Sequence, residues 1–132
     1  MNEVPKKVLI AEDEKDVVEI LQSGLAREGF KVVVAFDGEE AKLKINEEAP
    51  DVILLDLMMP RLNGWEVLRW LRLEKHSSTP TIIVSAKNEM ADFKKGYALD
   101  ADYYIIKPVK MQELIKGINT LLTFHSKENP PV

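Results

Sequence analysis

The sequence predicts an α/β fold: a doubly wound, five-stranded parallel sheet in the order 2-1-3-4-5, with five helices. Three observations carry this prediction. Five short apolar segments, around Val8-Leu9-Ile10-Ala11, Val32-Val33-Val34-Ala35, Val52-Ile53-Leu54-Leu55, Thr81-Ile82-Ile83-Val84 and Tyr103-Tyr104-Ile105-Ile106, have the length of buried strands. Stretches of helical periodicity alternate with them, the pattern of βαβ units. Right-handed crossovers place helices on both faces, and of the two common doubly wound orders the five-stranded one fits the count.

The elements follow in chain order. Lys7–Ala11 is the first strand. The helix over 13–28 puts Val17, Val18, Leu21 and Leu25 on one face and stops at Gly29. Lys31–Ala35, rich in valine, is the second strand, and Gly38–Glu48 is a weakly amphipathic helix. The third strand covers 52–56, just after Pro50, and the third helix covers 64–73 with Val67, Leu68 and Leu71 in register. Thr81–Ser85 is the fourth strand, followed by a helix over 89–99. Tyr103–Ile106 is the fifth strand, and a last helix covers 110–122. Residues 1–123 form one domain, and 124–132, ending in Pro130-Pro131-Val132, read as a tail or the start of a linker.

Composition narrows the function classes. The chain has 132 residues, 45% hydrophobic and 30% charged, enough for one globular core. It contains no cysteine, which excludes disulfides, thiolate metal sites and cysteine nucleophiles and fits a cytoplasmic protein. The net charge is -4 and the basic residues are scattered, so no direct nucleic-acid contact is expected. No apolar stretch reaches the roughly 18 residues of a membrane span. Lys6 and Lys7 precede a short apolar run, but acids follow at once, unlike a signal peptide.

The strand ends carry the chemistry. Asp56 follows the third apolar run, Glu12 and Asp13 follow the first, Ser85 ends the fourth, and Lys107-Pro108 follows the fifth. Open α/β sheets bind ligands at the carboxyl ends of their strands, beside the switch point that here lies between strands one and three. Three clustered carboxylates repel one another, and a hard cation relieves the repulsion. Magnesium takes oxygen ligands, commonly one or two carboxylates with waters and a phosphate. Asp13 and Asp56 are expected as direct ligands, Glu12 through a water, and the carbonyl of Met58 as a further oxygen. Helix capping is the competing use of Asp13. Asp56 can also act as a nucleophile towards phosphorus, forming an acyl phosphate. Lys107, restricted by Pro108 and a candidate for a cis peptide bond, would offer a fixed ammonium, and Ser85 a hydroxyl, to the phosphoryl oxygens.

Four segments resemble one family. Asp56-Leu-Met-Met-Pro-Arg-Leu-Asn-Gly64 is similar to the phosphoacceptor motif of the receiver domains of bacterial two-component response regulators. Val8-Leu-Ile-Ala-Glu-Asp-Glu14 resembles their acidic pair, and Ser85-Ala86-Lys87 and Tyr104-Ile-Ile-Lys107-Pro108 their hydroxyl and lysine motifs. The resemblance covers roughly residues 5–123 and implies the flavodoxin-like receiver fold of the chemotaxis regulators. It implies that a sensor histidine kinase or phosphotransfer protein phosphorylates Asp56 with Mg2+ held by Glu12, Asp13, Asp56 and the Met58 carbonyl. Lys107 and Ser85 would then sense the phosphoryl group, and Ser85 and Tyr104 would shift the face of helix 4, strand 5 and helix 5. The implied protein is no enzyme beyond its own phosphorylation and dephosphorylation. It acts through a downstream effector or fused output domain, away from membranes, as a monomer or weak dimer on phosphorylation. The alternative is a phosphorylation-independent interaction module, which predicts a damaged constellation. A flavin-binding electron carrier on the same fold is disfavoured, because Glu12, Asp13 and Glu14 would repel a flavin phosphate.

Several positions depart from the family pattern. Tyr103 replaces the acid that many receivers with DNA-binding domains carry there, and the last helix has no arginine to pair with it, so that dimer contact is not expected. Gly117 in a helix interior costs about 1 kcal/mol relative to alanine. Lys42 stands where an apolar residue is more usual, so either that helix is rotated or Leu43 is exposed. Asp100 occupies a turn position often filled by glycine. Trp70 falls out of register with Val67, Leu68 and Leu71, which leaves two readings: packing on a neighbouring turn, which is preferred, or a partial surface anchor for a partner. Met58 and Lys87 stand at positions that influence acyl-phosphate lifetime in the family. His76 and His125 receive no role.

Overall fold

The computed structural model describes residues 4–128. Its strands are β1 (Lys7–Ala11), β2 (Lys31–Ala35), β3 (Val52–Leu55), β4 (Thr81–Ser85) and β5 (Tyr103–Ile106). They pair in parallel in the order β2-β1-β3-β4-β5, as the apolar runs predict. The helices are α1 (Lys15–Arg27), α2 (Gly38–Glu48), α3 (Gly64–Arg69), α4 (Met90–Ala98) and α5 (Met111–Glu128).

Alternation along the strands divides the core in two. Leu9, Ile53, Leu55 and Ile83 point to the side covered by α2 and α3, where they meet Ala41, Ile45, Val67 and Leu68. Val8, Ile10, Leu54, Ile82 and Val84 point to the side of α1 and α5, meeting Val18, Leu21, Leu25, Leu114 and Ile118. Each fully buried aliphatic side chain contributes about 1.5–3 kcal/mol. Both faces of β1, β3 and β4 are covered, which explains their unbroken apolar runs.

The structure adjusts four expected boundaries. Asp13 caps nothing: α1 begins at Lys15 and its N-cap is Glu14. Strand β3 ends at Leu55, leaving Asp56 as the residue just past it. The third helix is not one α-helix over 64–73. After Arg69 the chain widens into a π-helical turn, Trp70–Glu74, where Lys75 N–H reaches back to the Trp70 carbonyl at 2.9 Å. Helix α5 continues to Glu128, past the expected end at 122. Of the expected tail, residues 129–132 lie outside the described residues.

The π turn accounts for Trp70. The extra residue per turn rotates the Trp70 ring towards α2, where the Lys42 ammonium lies 5.1 Å from its centroid. Lys75 approaches the same ring at 5.9 Å and donates to Asn46 Oδ1 at 2.7 Å. The unusual lysine of α2 and the out-of-register tryptophan of α3 are therefore partners. Helix α2 is seated by Ala41 and Ile45, and Leu43 is left exposed. Asp100 takes the left-handed backbone expected of its turn, with φ of 60°. Gly117 has a packing reason: a Cβ there would stand 3.3 Å from the Tyr103 ring, so the glycine leaves room for that ring on α5.

At the amino edge of the sheet, Arg72 of the π turn gathers loose backbone ends. Its guanidinium donates to the carbonyls of Ser77 at 2.9 Å, Thr79 at 2.8 Å and Asp100 at 2.9 Å, and to the Asp102 carboxylate at 3.2 Å. Burial lowers the Arg72 pKa and raises that of Asp102. A cavity of about 660 Å³ lies beside this cluster, at the opposite edge from Asp56. Arg72→Ala takes the guanidinium from three carbonyls and from the exposed Asp102 carboxylate, which keeps the Thr81 N–H, and is expected to cost about 3 kcal/mol. Arg72→Lys should recover less than half of that, because an ammonium cannot reproduce the planar fork. Urea unfolding measures both; a loss too small to resolve for Arg72→Ala would show that the cluster contributes nothing.

Candidate functional site

Glu12, Asp56 and Lys107 each sit one step beyond a strand and are held by one more ladder bond. Glu12 N–H donates to the Ala35 carbonyl at 3.0 Å, tying the end of β1 to β2. Asp56 N–H donates to the Ala11 carbonyl at 2.9 Å, tying the end of β3 to β1. Lys107 N–H donates to the Ser85 carbonyl at 2.9 Å, tying β5 to β4. Sheet register thus sets the spacing of the site, and the side chains emerge from the ends of paired strands. The Lys107-Pro108 bond is cis.

The predicted acids converge. Glu12, Asp13 and Asp56 each offer a carboxylate oxygen, and these lie within 4.8 Å of one another. Glu12 and Asp56 are buried, at 2% and 3% exposure, while Asp13 is exposed. Among the described residues no other three acid or histidine side chains gather in this way. Met58, two residues beyond Asp56, has an exposed side chain.

Lys107 spans the cluster. Its ammonium lies 2.6 Å from Glu12 Oε1, 3.4 Å from Glu14 Oε1 and 3.5 Å from Asp56 Oδ2. Burial works against its charge, but Glu12, Asp56 and Glu14 outweigh burial and raise its pKa. Glu12 is pushed up to about 7, first by burial and then by the Asp56 charge, with Lys107 opposing. One lysine therefore does not neutralise the site. An all-oxygen, acid-rich set with a charge deficit fits a hard divalent cation such as Mg2+.

Beside the acids, Ser85 is fully buried, and its Oγ accepts from the Lys87 N–H at 3.2 Å. Tyr104 donates from its hydroxyl to the Lys87 carbonyl at 2.7 Å. The Tyr104 ring packs edge-on against Phe93 of α4 at 4.7 Å, and burial pushes its phenol up to about 12. The expected hydroxyl and aromatic residues are thus fastened to the two backbone groups of one residue, Lys87. Reading side chains alone misses that link, because it is made by Lys87 backbone. Glu14 is a second omission: the acid after the acidic pair gives the signal, and the structure shows its carboxylate near Lys107.

A model of the response regulator receiver domain matches residues 8–119. The chain belongs to the response regulator receiver domain family. It is 41% identical over 117 residues to the alkaline phosphatase synthesis transcriptional regulatory protein PhoP of Bacillus subtilis, covering 89% of this chain and 48% of that protein. The chain spans about half the length of the curated relatives it matches. Among solved structures, the receiver domain of the Francisella response regulator 1452 superposes with a TM-score of 0.86 at 37% identity, covering 91% of this chain and 98% of that one. A CheY-like receiver domain protein of Methanospirillum hungatei gives 0.89 at 26% identity, covering 95% and 99%. This receiver therefore has the expected fold and an acidic pocket able to hold a metal. No helix among the described residues is long and apolar enough to cross a membrane.

The raised Glu12 pKa makes a signed prediction for the receiver in chelator. Its folded pKa, about 7, lies above the ordinary 4.5, so the folded state holds the extra proton between those values. Stability from Glu12 is then fully present below pH 4.5 and is lost as pH rises through about 7. Glu12→Gln should flatten the stability profile across that window, measured by urea unfolding at stepped pH. An unchanged slope in the variant would show that Glu12 does not titrate there.

Proposed function

We propose that this receiver is a phosphoacceptor switch of a two-component phosphorelay, with Asp56 as the acceptor. The observation that carries the reading is the placement of the Asp56 carboxylate, buried at a strand end with two further carboxylates and the Lys107 ammonium around it. The donor is the phosphohistidine of a sensor histidine kinase or phosphotransfer protein. An Asp56 oxygen forms the new P–O bond as the donor's P–N bond breaks, and the released imidazole nitrogen takes a proton. Asp13, Asp56 and the Met58 carbonyl would hold Mg2+ directly, and Glu12 through a water. When bound, Mg2+ supplies the positive charge that neutralises the phosphoryl oxygens.

The residues of the chain do the rest. Lys107, 3.5 Å from Asp56, pairs with one phosphoryl oxygen. Ser85 donates its hydroxyl to another. Ser85 and Tyr104 then move together, and the face of α4, β5 and α5 changes shape. The receiver is no enzyme in the wider sense, since its chemistry is confined to its own phosphorylation and dephosphorylation. Its output passes to a downstream effector or a fused domain, in the cytoplasm, from a monomer or a weak dimer.

Intact-protein mass after incubation with a small phosphodonor tests this, with and without Mg2+ and beside Asp56→Asn. One added phosphoryl group is expected, dependent on Mg2+ and absent from the variant. A parent that takes up nothing from a small donor or from a histidine kinase, while folded and binding Mg2+, would instead be a phosphorylation-independent module.

A further inference from the structure

We propose that Gly38, the first residue of α2, is a positioning residue for the loop that carries Asp56 and Met58. The inference deepens the phosphoacceptor reading and rests on it for the metal. The loop between β3 and α3 is braced at two glycines. A Cβ on Gly64 would strike the Asp56 carbonyl and stand 2.8 Å from the Leu57 Cα. Gly64 N–H also donates to the Leu57 carbonyl at 3.1 Å, which closes the loop on itself. A Cβ on Gly38 would strike the Leu62 carbonyl and stand 2.6 Å from the Leu62 carbonyl carbon. Both collisions are with backbone, which cannot rotate away as a side-chain tip can.

Left-handed backbone does not explain the glycine at 38, since Gly29 is the glycine with a positive φ. Close approach remains as the reason. The amino end of α2 is itself fixed. Asp37 Oδ1 accepts from the Glu40 N–H at 2.8 Å, and Glu40 Oε1 accepts from the Phe36 N–H at 2.7 Å. The loop it meets is strained: Arg61 has φ of 68°, and Leu62 N–H turns back to the Pro60 carbonyl at 2.8 Å. Arg61 also reaches Asp37 at 3.7 Å. A tight, strained turn keeps its shape when its surroundings hold it, and the capped end of α2 is that surrounding. A side chain at 38 would push Leu62 outward and move the segment between Asp56 and Leu62, which includes the Met58 carbonyl.

The test compares Gly38→Ala with the parent and with Ile45→Val, a buried substitution on the same helix that loosens its packing while leaving the Gly38–Leu62 contact as it is. Amide hydrogen exchange over residues 57–63 and the Mg2+ concentration for half-maximal phosphoryl uptake are read on each. Gly38→Ala should speed exchange in the loop and raise the half-maximal Mg2+ concentration roughly ten-fold, whereas Ile45→Val should do neither. Asp37→Ala removes the cap that fixes this end of α2 and should shift both readouts in the same direction, even if Gly38→Ala does not fold. A folded Gly38→Ala or Asp37→Ala with parental exchange and parental Mg2+ dependence overturns the proposal. So does an Ile45→Val variant that shifts both readouts equally, since the effect would then be general loosening. A parent without Mg2+-dependent uptake would sink the phosphoacceptor reading, while the exchange rates would still decide the brace.

Discussion

Glu12, Asp13 and Asp56 stand within 4.8 Å of one another, two of them buried, and their mutual repulsion is the constraint on which the site depends. Folding brings these charges together because register leaves no alternative. β1 is paired on both sides, so the residues after β1 and β3 must emerge as neighbours. The apolar ladders below them supply the stability that offsets the crowding. A single ammonium from the far side of β4 meets them, and it is shared among three acids. Burial first, and the Asp56 charge after it, hold the pKa of Glu12 up against Lys107. Such a site is short of positive charge, and on the proposed function a bound cation would make a phosphoryl group an acceptable neighbour to carboxylates that otherwise repel it.

Much of this was legible in the sequence because the signals are local. An apolar run of four or five residues buried on both faces has few other interpretations when helical stretches alternate with it. The acids, hydroxyl and lysine follow those runs directly, so strand order alone predicts their convergence. The less legible features depend on contacts between elements. No local pattern announces a π turn at Trp70, and its cause becomes visible only with Lys42 and Lys75 against the ring. Lys42 and Trp70 each look out of place along the chain because each is the other's partner. Gly117 reads as a helix defect until Tyr103 is seen over it. Asp13 was open to two uses in the sequence, and the start of α1 at Lys15 with Glu14 as N-cap removes one of them.

The link between Ser85 and Tyr104 also differs in kind from what the side chains suggest. The family pattern describes a space: the hydroxyl residue moves and the aromatic ring enters. Here the ring is already partly covered, edge-on to Phe93 and close to Gly96, whose Cβ would lie 3.6 Å from it. What joins the two residues is the Lys87 backbone, with its N–H on Ser85 Oγ and its carbonyl receiving the Tyr104 hydroxyl. A hydroxyl that accepts from Lys87 still has its own proton to donate. On the proposed function, Ser85 can therefore engage a phosphoryl oxygen without first abandoning Lys87, and drawing Ser85 towards Asp56 pulls on the same residue that holds Tyr104. The phenol follows because its hydrogen bond would otherwise lengthen, and the raised pKa of Tyr104 keeps it a donor at every physiological pH. Phe93 and Gly96 lie on α4, so the displacement reaches that helix through a ring it already touches. Coupling of this kind needs no empty cavity; it needs the loop after β4 to be softer than the strand that precedes it. β4 is buried throughout and paired on both sides, whereas the loop at Ala86–Lys87 is exposed, so on the proposed function the strain of phosphorylation would fall on the loop.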